Sequence, residues 1–255
     1  MEGINTYGVW EFSDWPTLAK QLKKGFDYGK QRCTAYVRYV VQRKLFPRFL
    51  EMYLPVLRSL RFGNPVVVEN EGDPLPVLDF GPLITSKRVE ELRVLYTDAL
   101  GKGAVSVYES SVPENLILPG QDLSSYLAPA ALLNLPHNCM LYHTEPFGPL
   151  DTIVVVDHLE ELVYEMNVSN GALVSSIASD DPKIARRVAG ESRAFKIGIN
   201  SMRSRGDREE VFGGIGQSWK GCFVGGRYLV LSVTRGEPNE KLYGNFPDYT
   251  LLPEE

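Results

Sequence analysis

Thr152-Ile153-Val154-Val155-Val156 is a near-continuous apolar run between Asp151 and Asp157. A strand covered on one face alternates apolar with polar residues, whereas an unbroken run describes a strand covered on both. Asp157 can cap a helix that continues through Met166 and ends before Gly171. Ala172-Leu173-Val174-Ser175-Ser176-Ile177 is strand-like. Asp180 or Asp181 with Pro182 then opens a helix that Gly190 closes, and Ala194-Phe195-Lys196-Ile197-Gly198-Ile199 is strand-like again. Strand, helix, strand, helix, strand in this order predicts an α/β fold, a mostly parallel sheet flanked by helices.

Upstream, the same signals continue. Asp14 can cap a first helix with Pro16 in its first turn, Leu18 and Leu22 on one face, and Gly25 interrupting or ending it. Thr34 to Val41 is rich in β-branched and aromatic residues and reads as a strand. Pro47 to Leu60 has helical spacing, with a kink or break expected at Pro55. Gly63 to Pro82 reads as a surface loop. Ser86 to Leu100 is a helix ended by Gly101, Ala104 to Tyr108 a strand, and Pro129 to Tyr142 a mixed stretch containing another. Beyond Gly226, Tyr228 to Thr234 reads as a strand followed by an extended tail. The domain reading is 1–225 for the main domain and 226–255 for the strand and tail, with oligomerisation as the tail's expected role.

Composition narrows the function classes. The 255 residues are 44% hydrophobic and 23% charged, with a net charge of -5, ordinary for a globular domain. No basic run suits a phosphate backbone or an anionic bilayer, so neither nucleic acid nor membrane is an expected partner. No uncharged apolar segment approaches the roughly 20 residues that cross a bilayer. The start, Met1-Glu2-Gly3-Ile4-Asn5, has no signal-peptide pattern. Cys33, Cys139 and Cys222 are widely spaced, which suits a reducing compartment and a cytoplasmic location.

Cys33 lies between a helix and a strand, close to Lys30 and Arg32. Positive neighbours favour the nucleophilic thiolate, and both are expected to lower its pKa. The alternative is a small residue buried at a strand edge. His137, Cys139 and His143 form a sparse set with too few donors for zinc, so no metal is expected. Gly213-Gly214-Ile215-Gly216 lacks the strand and the Lys-Ser/Thr of a phosphate cradle and reads as a tight loop.

Four segments, in order, resemble the catalytic half of the aldehyde dehydrogenase family. Gln31-Arg32-Cys33-Thr34-Ala35 resembles the Gly-Gln-x-Cys segment holding the family's nucleophile. Phe80-Gly81-Pro82-Leu83-Ile84 resembles its Gly-Pro-Leu/Met loop, and Glu145-Pro146-Phe147-Gly148-Pro149 its Glu-x-Phe-Gly-Pro motif. Phe212-Gly213-Gly214-Ile215-Gly216-Gln217-Ser218 resembles its Phe-Gly-Gly-x-x-x-Ser loop, with Ile199-Asn200 matching an upstream Val/Ile-Asn. The resemblance implies that Cys33 is the catalytic thiol and that Glu145 and Phe147 contact the nicotinamide-side ribose of NAD or NADP. It also implies oxidation of an aldehyde to a carboxylate through a thiohemiacetal and a thioester.

The departures are Lys30 in place of the family's glycine, Tyr28 in place of its asparagine, and Trp219 after Ser218. They favour the rival reading, a non-catalytic assembly module that keeps the fold. The family's dinucleotide-binding domain and general-base glutamate are not matched. Glu2-Gly3 could be a shortened form of the glutamate's segment, and no Gly-x-Gly-x-x-Gly follows a strand. The expectation is a chain inactive by itself, paired as a homodimer or with a partner carrying the dinucleotide-binding domain.

Overall fold

The computed structural model describes residues 3–68, 70–169, 172–203, 210–214 and 225. The element order is β1 (Asn5–Val9), α1 (Trp15–Lys24), β2 (Tyr36–Gln42), α2 (Phe46–Arg58), α3 (Ser86–Gly101), β3 (Val105–Glu109), β4 (Ala130–Leu133), α4 (Met140–His143), β5 (Leu150–Val156), α5 (Leu159–Met166), β6 (Ala172–Ala178), α6 (Pro182–Glu191) and β7 (Ala194–Ile199). The seven strands form one sheet in the order β3-β4-β5-β2-β1-β6-β7. Every neighbouring pair is parallel except β3 and β4.

Helices cover both faces, as the unbroken apolar run of β5 requires. Leu18 and Leu22 of α1 and Phe49, Tyr53 and Leu57 of α2 share a core with Tyr7, Tyr39, Val41 and Ile153. Leu162 and Met166 of α5 and Ala185 and Val188 of α6 pack with Val40, Val156 and Ile177. Val40 sits between Tyr39 and Val41 in β2, and successive strand residues point to opposite faces, so the two cores lie on opposite sides. A third core joins Val89, Leu92, Leu95 and Ala99 of α3 to Leu132 and Leu150.

Several local expectations are corrected. β1 was not anticipated: Asn5-Thr6-Tyr7-Gly8-Val9 carries two polar residues and a glycine, yet all five are buried in a central strand. Pro55 does not break α2, which continues to Arg58. It is exposed and in the last turn, with three helical residues after it. Gly101 is the last residue of α3, and Gly103, at φ 108°, makes the turn after it. The α5 cap is His158 in a capping box with Glu161, and Asp157 instead pairs with Arg43 at 2.6 Å. Gly190 stays inside α6, which ends at Glu191. The segment Tyr228 to Thr234 lies outside the described residues. No helix among the described residues is long and apolar enough to cross a membrane.

Candidate active site

After α1 the chain makes a tight 3-10 turn over Asp27–Lys30. Tyr28, Gly29 and Lys30 take φ of 61°, 60° and 58° in succession. The left-handed region costs a non-glycine residue about 1 kcal/mol or more, so Tyr28 and Lys30 need other contacts to stay there. Lys30 has them. Its ammonium donates to Asp151 Oδ1 at 2.5 Å, to the Tyr36 carbonyl at 2.8 Å and to the Tyr39 hydroxyl at 3.0 Å, and it lies 4.1 Å from the centre of the Phe26 ring. Both Lys30 and Asp151 are fully buried. Tyr53 donates to the second oxygen of Asp151.

Cys33 follows this turn, exposed, just before β2. Its backbone is pinned from the sheet: Asn5 Nδ2 donates to the carbonyls of Cys33 at 2.8 Å and Ala35 at 2.9 Å, while Asn5 Oδ1 accepts from the Val174 amide. One buried asparagine at the start of β1 therefore ties the thiol segment to β6.

The Glu145–Pro149 loop enters β5, the parallel neighbour of β2. Parallel neighbours are entered from the same edge, so loops more than a hundred residues apart in the chain arrive side by side. Gln31 joins the third loop: its Oε1 accepts from the Ile84 amide at 2.7 Å and its Nε2 donates to the Tyr28 carbonyl. Arg88 of α3 donates to the carbonyls of Glu145 and Pro146. Phe147 is left-handed at φ 45°, and Glu145 and Phe147 are half-buried. Asn200 follows β7 and so starts at the opposite edge. It bonds both backbone groups of Ser179, and the chain doubles back, with the Ser201 carbonyl accepting from Ser176 and the Arg203 amide donating to Tyr36. Phe212 is buried and meets Phe195 edge-on at 6.4 Å. Glu2, Cys222, residues 215–218 and Trp219 lie outside the described residues.

The electrostatics overturn one expectation. The Cys33 thiol is held above its ordinary pKa, first by partial desolvation and second by the Glu145 carboxylate. Its own backbone amide and Arg32 pull the other way and lose. Lys30 is not among the groups that shift it, and its charge is turned into the core against Asp151. In that pair, burial pulls the lysine pKa down and pushes the aspartate up, each against the attraction of the other.

Among the described residues no group of three or more His, Cys, Asp or Glu is placed to hold a metal. Cys139 is buried, His143 Nε2 contacts the His137 carbonyl, and the His137 ring stacks on Tyr142. Sequence reasoning singled out Cys33, Glu145 and Phe147 but missed their supports, Asn5, Arg88 and Asp151. An asparagine opening a strand and an aspartate beginning an apolar run are weak signals, and only strand adjacency shows what they hold.

The aldehyde dehydrogenase family model matches residues 1–235. An NADP-dependent glyceraldehyde-3-phosphate dehydrogenase of Streptococcus equinus is 26% identical over 89% of this chain and 44% of its own length. A 2-hydroxymuconic semialdehyde dehydrogenase of Pseudomonas putida is 30% identical over 77% of this chain and 38% of its own length. Among solved structures, the NADP-dependent glyceraldehyde-3-phosphate dehydrogenase of Bacillus halodurans, complexed with NADP, superposes with a TM-score of 0.76 at 27% identity, over 92% of this chain and 45% of that one. The chain thus spans 38% to 45% of the length of these relatives. With the family model covering most of its length, the chain belongs to the aldehyde dehydrogenase family.

Proposed function

We propose that this chain supplies the thiol-bearing half of an NAD(P)-dependent aldehyde dehydrogenase, with Cys33 as the nucleophile. The observation that carries the reading is the meeting of three family-like loops, around Cys33, Gly81–Ile84 and Glu145–Pro149, at one edge of the sheet. Cys33 alone of the three loops presents a solvent-accessible nucleophilic side chain.

In this reading the Cys33 sulfur bonds to the aldehyde carbon and the carbonyl oxygen takes the negative charge, partly held by the Cys33 backbone N–H. Loss of hydride from that carbon leaves a thioester. Water then adds, the carbon–sulfur bond breaks, and carboxylate and thiol are released. A bound nicotinamide dinucleotide supplies the hydride acceptor. Glu145 suits its ribose: the carboxylate sits near the thiol on a loop whose carbonyls Arg88 fixes, and a carboxylate accepts from paired hydroxyls. Phe147 packs beside it. The general base, the rest of the dinucleotide site, a dimeric or two-chain assembly and a cytoplasmic location belong to the same proposal.

The raised thiol pKa favours a second reading, a non-catalytic assembly module with a resting thiol. Site-resolved mass spectrometry separates the two. If Cys33 is the nucleophile, a panel of small aldehydes slows iodoacetamide modification of Cys33 reversibly and leaves the other thiols unaffected. No protection by any aldehyde, or full aldehyde oxidation by a Cys33→Ser variant of the complete enzyme, overturns the nucleophile.

A further inference from the structure

Lys30 and Asp151 have no role in the chemistry above, yet they form a completely buried ion pair three residues from Cys33 and six from Glu145. Burying two charges is costly, and such pairs seldom add net stability over apolar replacements. A pair placed there is better explained by what it joins. Lys30 ends the left-handed turn that delivers Cys33, and Asp151 is the second residue of β5, just after the Glu145–Pro149 loop. The contact also spans β2, since the same ammonium donates to the Tyr36 carbonyl and the Tyr39 hydroxyl.

We propose that the Lys30–Asp151 pair, with Tyr53 on the second carboxylate oxygen, is a positioning strut that sets the spacing between the Cys33 thiol and the Glu145 carboxylate. Where the family's motif has glycine, left-handed backbone carries little cost. Here a lysine holds the same backbone by anchoring its side chain, and the anchor lies at the base of the other functional loop. One contact does two jobs: it keeps residue 30 left-handed and it locks the two loops in register. The strut acts through Cys33 and Glu145 and touches no reacting atom.

The strut rests on the reading of Cys33 as the reacting thiol, so its test uses a measurement independent of turnover: the pH profile of Cys33 alkylation by iodoacetamide, resolved by mass spectrometry. Glu145 opposes the thiolate, so Glu145→Gln in the natural background should move the half-point down and raise the rate at fixed pH. In the Lys30→Met/Asp151→Leu background, where the loops are no longer tied, Glu145→Gln should move it by less than a third as much. A pair that only stabilises the fold would change the melting temperature and leave the Glu145 effect intact. An equal Glu145→Gln shift in both folded backgrounds overturns the strut. Should the double variant not fold, Tyr53→Phe removes one holder of Asp151 and is expected to reduce the Glu145 effect partway; no reduction there also overturns it. Failure of the nucleophile reading looks different: a Cys33→Ser complete enzyme retains aldehyde oxidation, whatever the alkylation profiles show.

Discussion

At Cys33 partial burial first and the Glu145 carboxylate second disfavour the thiolate, and together they outweigh its own backbone N–H and Arg32, which favour it. The alkylation rate of Cys33 should therefore keep rising beyond about pH 8.5, the usual thiol midpoint, because the thiolate fraction grows until the raised pKa is passed. Cys139 is 1% exposed and should react far more slowly in the folded chain. Peptide mapping over a pH series checks both statements, and faster labelling of Cys139 would contradict the arrangement. Lys30 and Asp151 follow the opposite logic. Removing one partner leaves the other buried and unpaired, so Lys30→Met should cost about 3–5 kcal/mol in a denaturant titration. The Lys30→Met/Asp151→Leu double variant should be close to neutral or more stable at pH 7. The sign follows from the shifts: the folded state binds a proton to Asp151 more tightly, and releases one from Lys30 more readily, than the unfolded chain. Keeping both charged therefore opposes folding between the usual carboxylate and lysine values. The double variant's advantage should narrow as the pH falls from the raised Asp151 value towards about 4, and as it rises from the lowered Lys30 value towards about 10.

Among the elements, α3 braces the Glu145 loop of the proposed site. Thr85 caps it by accepting from the Arg88 amide, and Arg88 then reaches across to the Glu145 and Pro146 carbonyls. One turn further, Leu92 packs so tightly on the loop that a Cβ at Gly148 would lie 2.4 Å from its Cδ1. Leu92 is 1% exposed and has little room to yield. Gly148→Ala should thus cost about 1–3 kcal/mol by overpacking and disturb the loop carrying Glu145 and Phe147. Thermal unfolding reads the first effect, and hydrogen exchange at the Phe147 amide the second. A variant as stable as the natural chain would mean that α3 and the loop are not in firm contact. The helix itself was legible from Val89, Leu92, Leu95 and Ala99, whereas its hold on the loop was not, because a surface arginine has no sequence mark for the carbonyls it will meet.

For the whole molecule, the strand order explains why the site is at the sheet edge where β1, β2 and β5 begin. α/β folds commonly bind ligands at the carboxyl ends of their strands. Here the thiol loop and the Glu145 loop both precede strands, and neither presents a glycine-rich turn between a strand and a helix. On the proposed reading Glu145 and Phe147 hold only the nicotinamide end, so this chain by itself should bind NAD or NADP weakly, the pyrophosphate normally being held by backbone N–H groups at a helix N-terminus. Calorimetry showing micromolar affinity for this chain alone would contradict that. Tyr28 and Ile84, 73% and 81% exposed, flank the thiol loop, and Gln31 links their backbones. Self-association of the isolated chain, measured by light scattering at micromolar concentration, is expected to bury such surface. A clean monomer that binds no hydrophobic dye would exclude it.

The amino-acid sequence by itself determined the class of fold, because the apolar run at Ile153–Val156 and the strand-like Ala172–Ile177, with helical spacing between them, permit few arrangements other than a covered parallel sheet. It also marked Cys33, Glu145 and Phe147, because the residue types in those motifs are themselves the signal. The tertiary structure decided what Lys30 does. Read along the chain, it is a cation three residues from a thiol; folded, its side chain is buried against Asp151, and the expected lowering of the thiol pKa does not follow. The same holds for Asn5 and for the central strand it opens. Charge effects depend on distance and burial, and strand pairing on neighbours far away in sequence, so neither could be read until β2 was placed between β1 and β5.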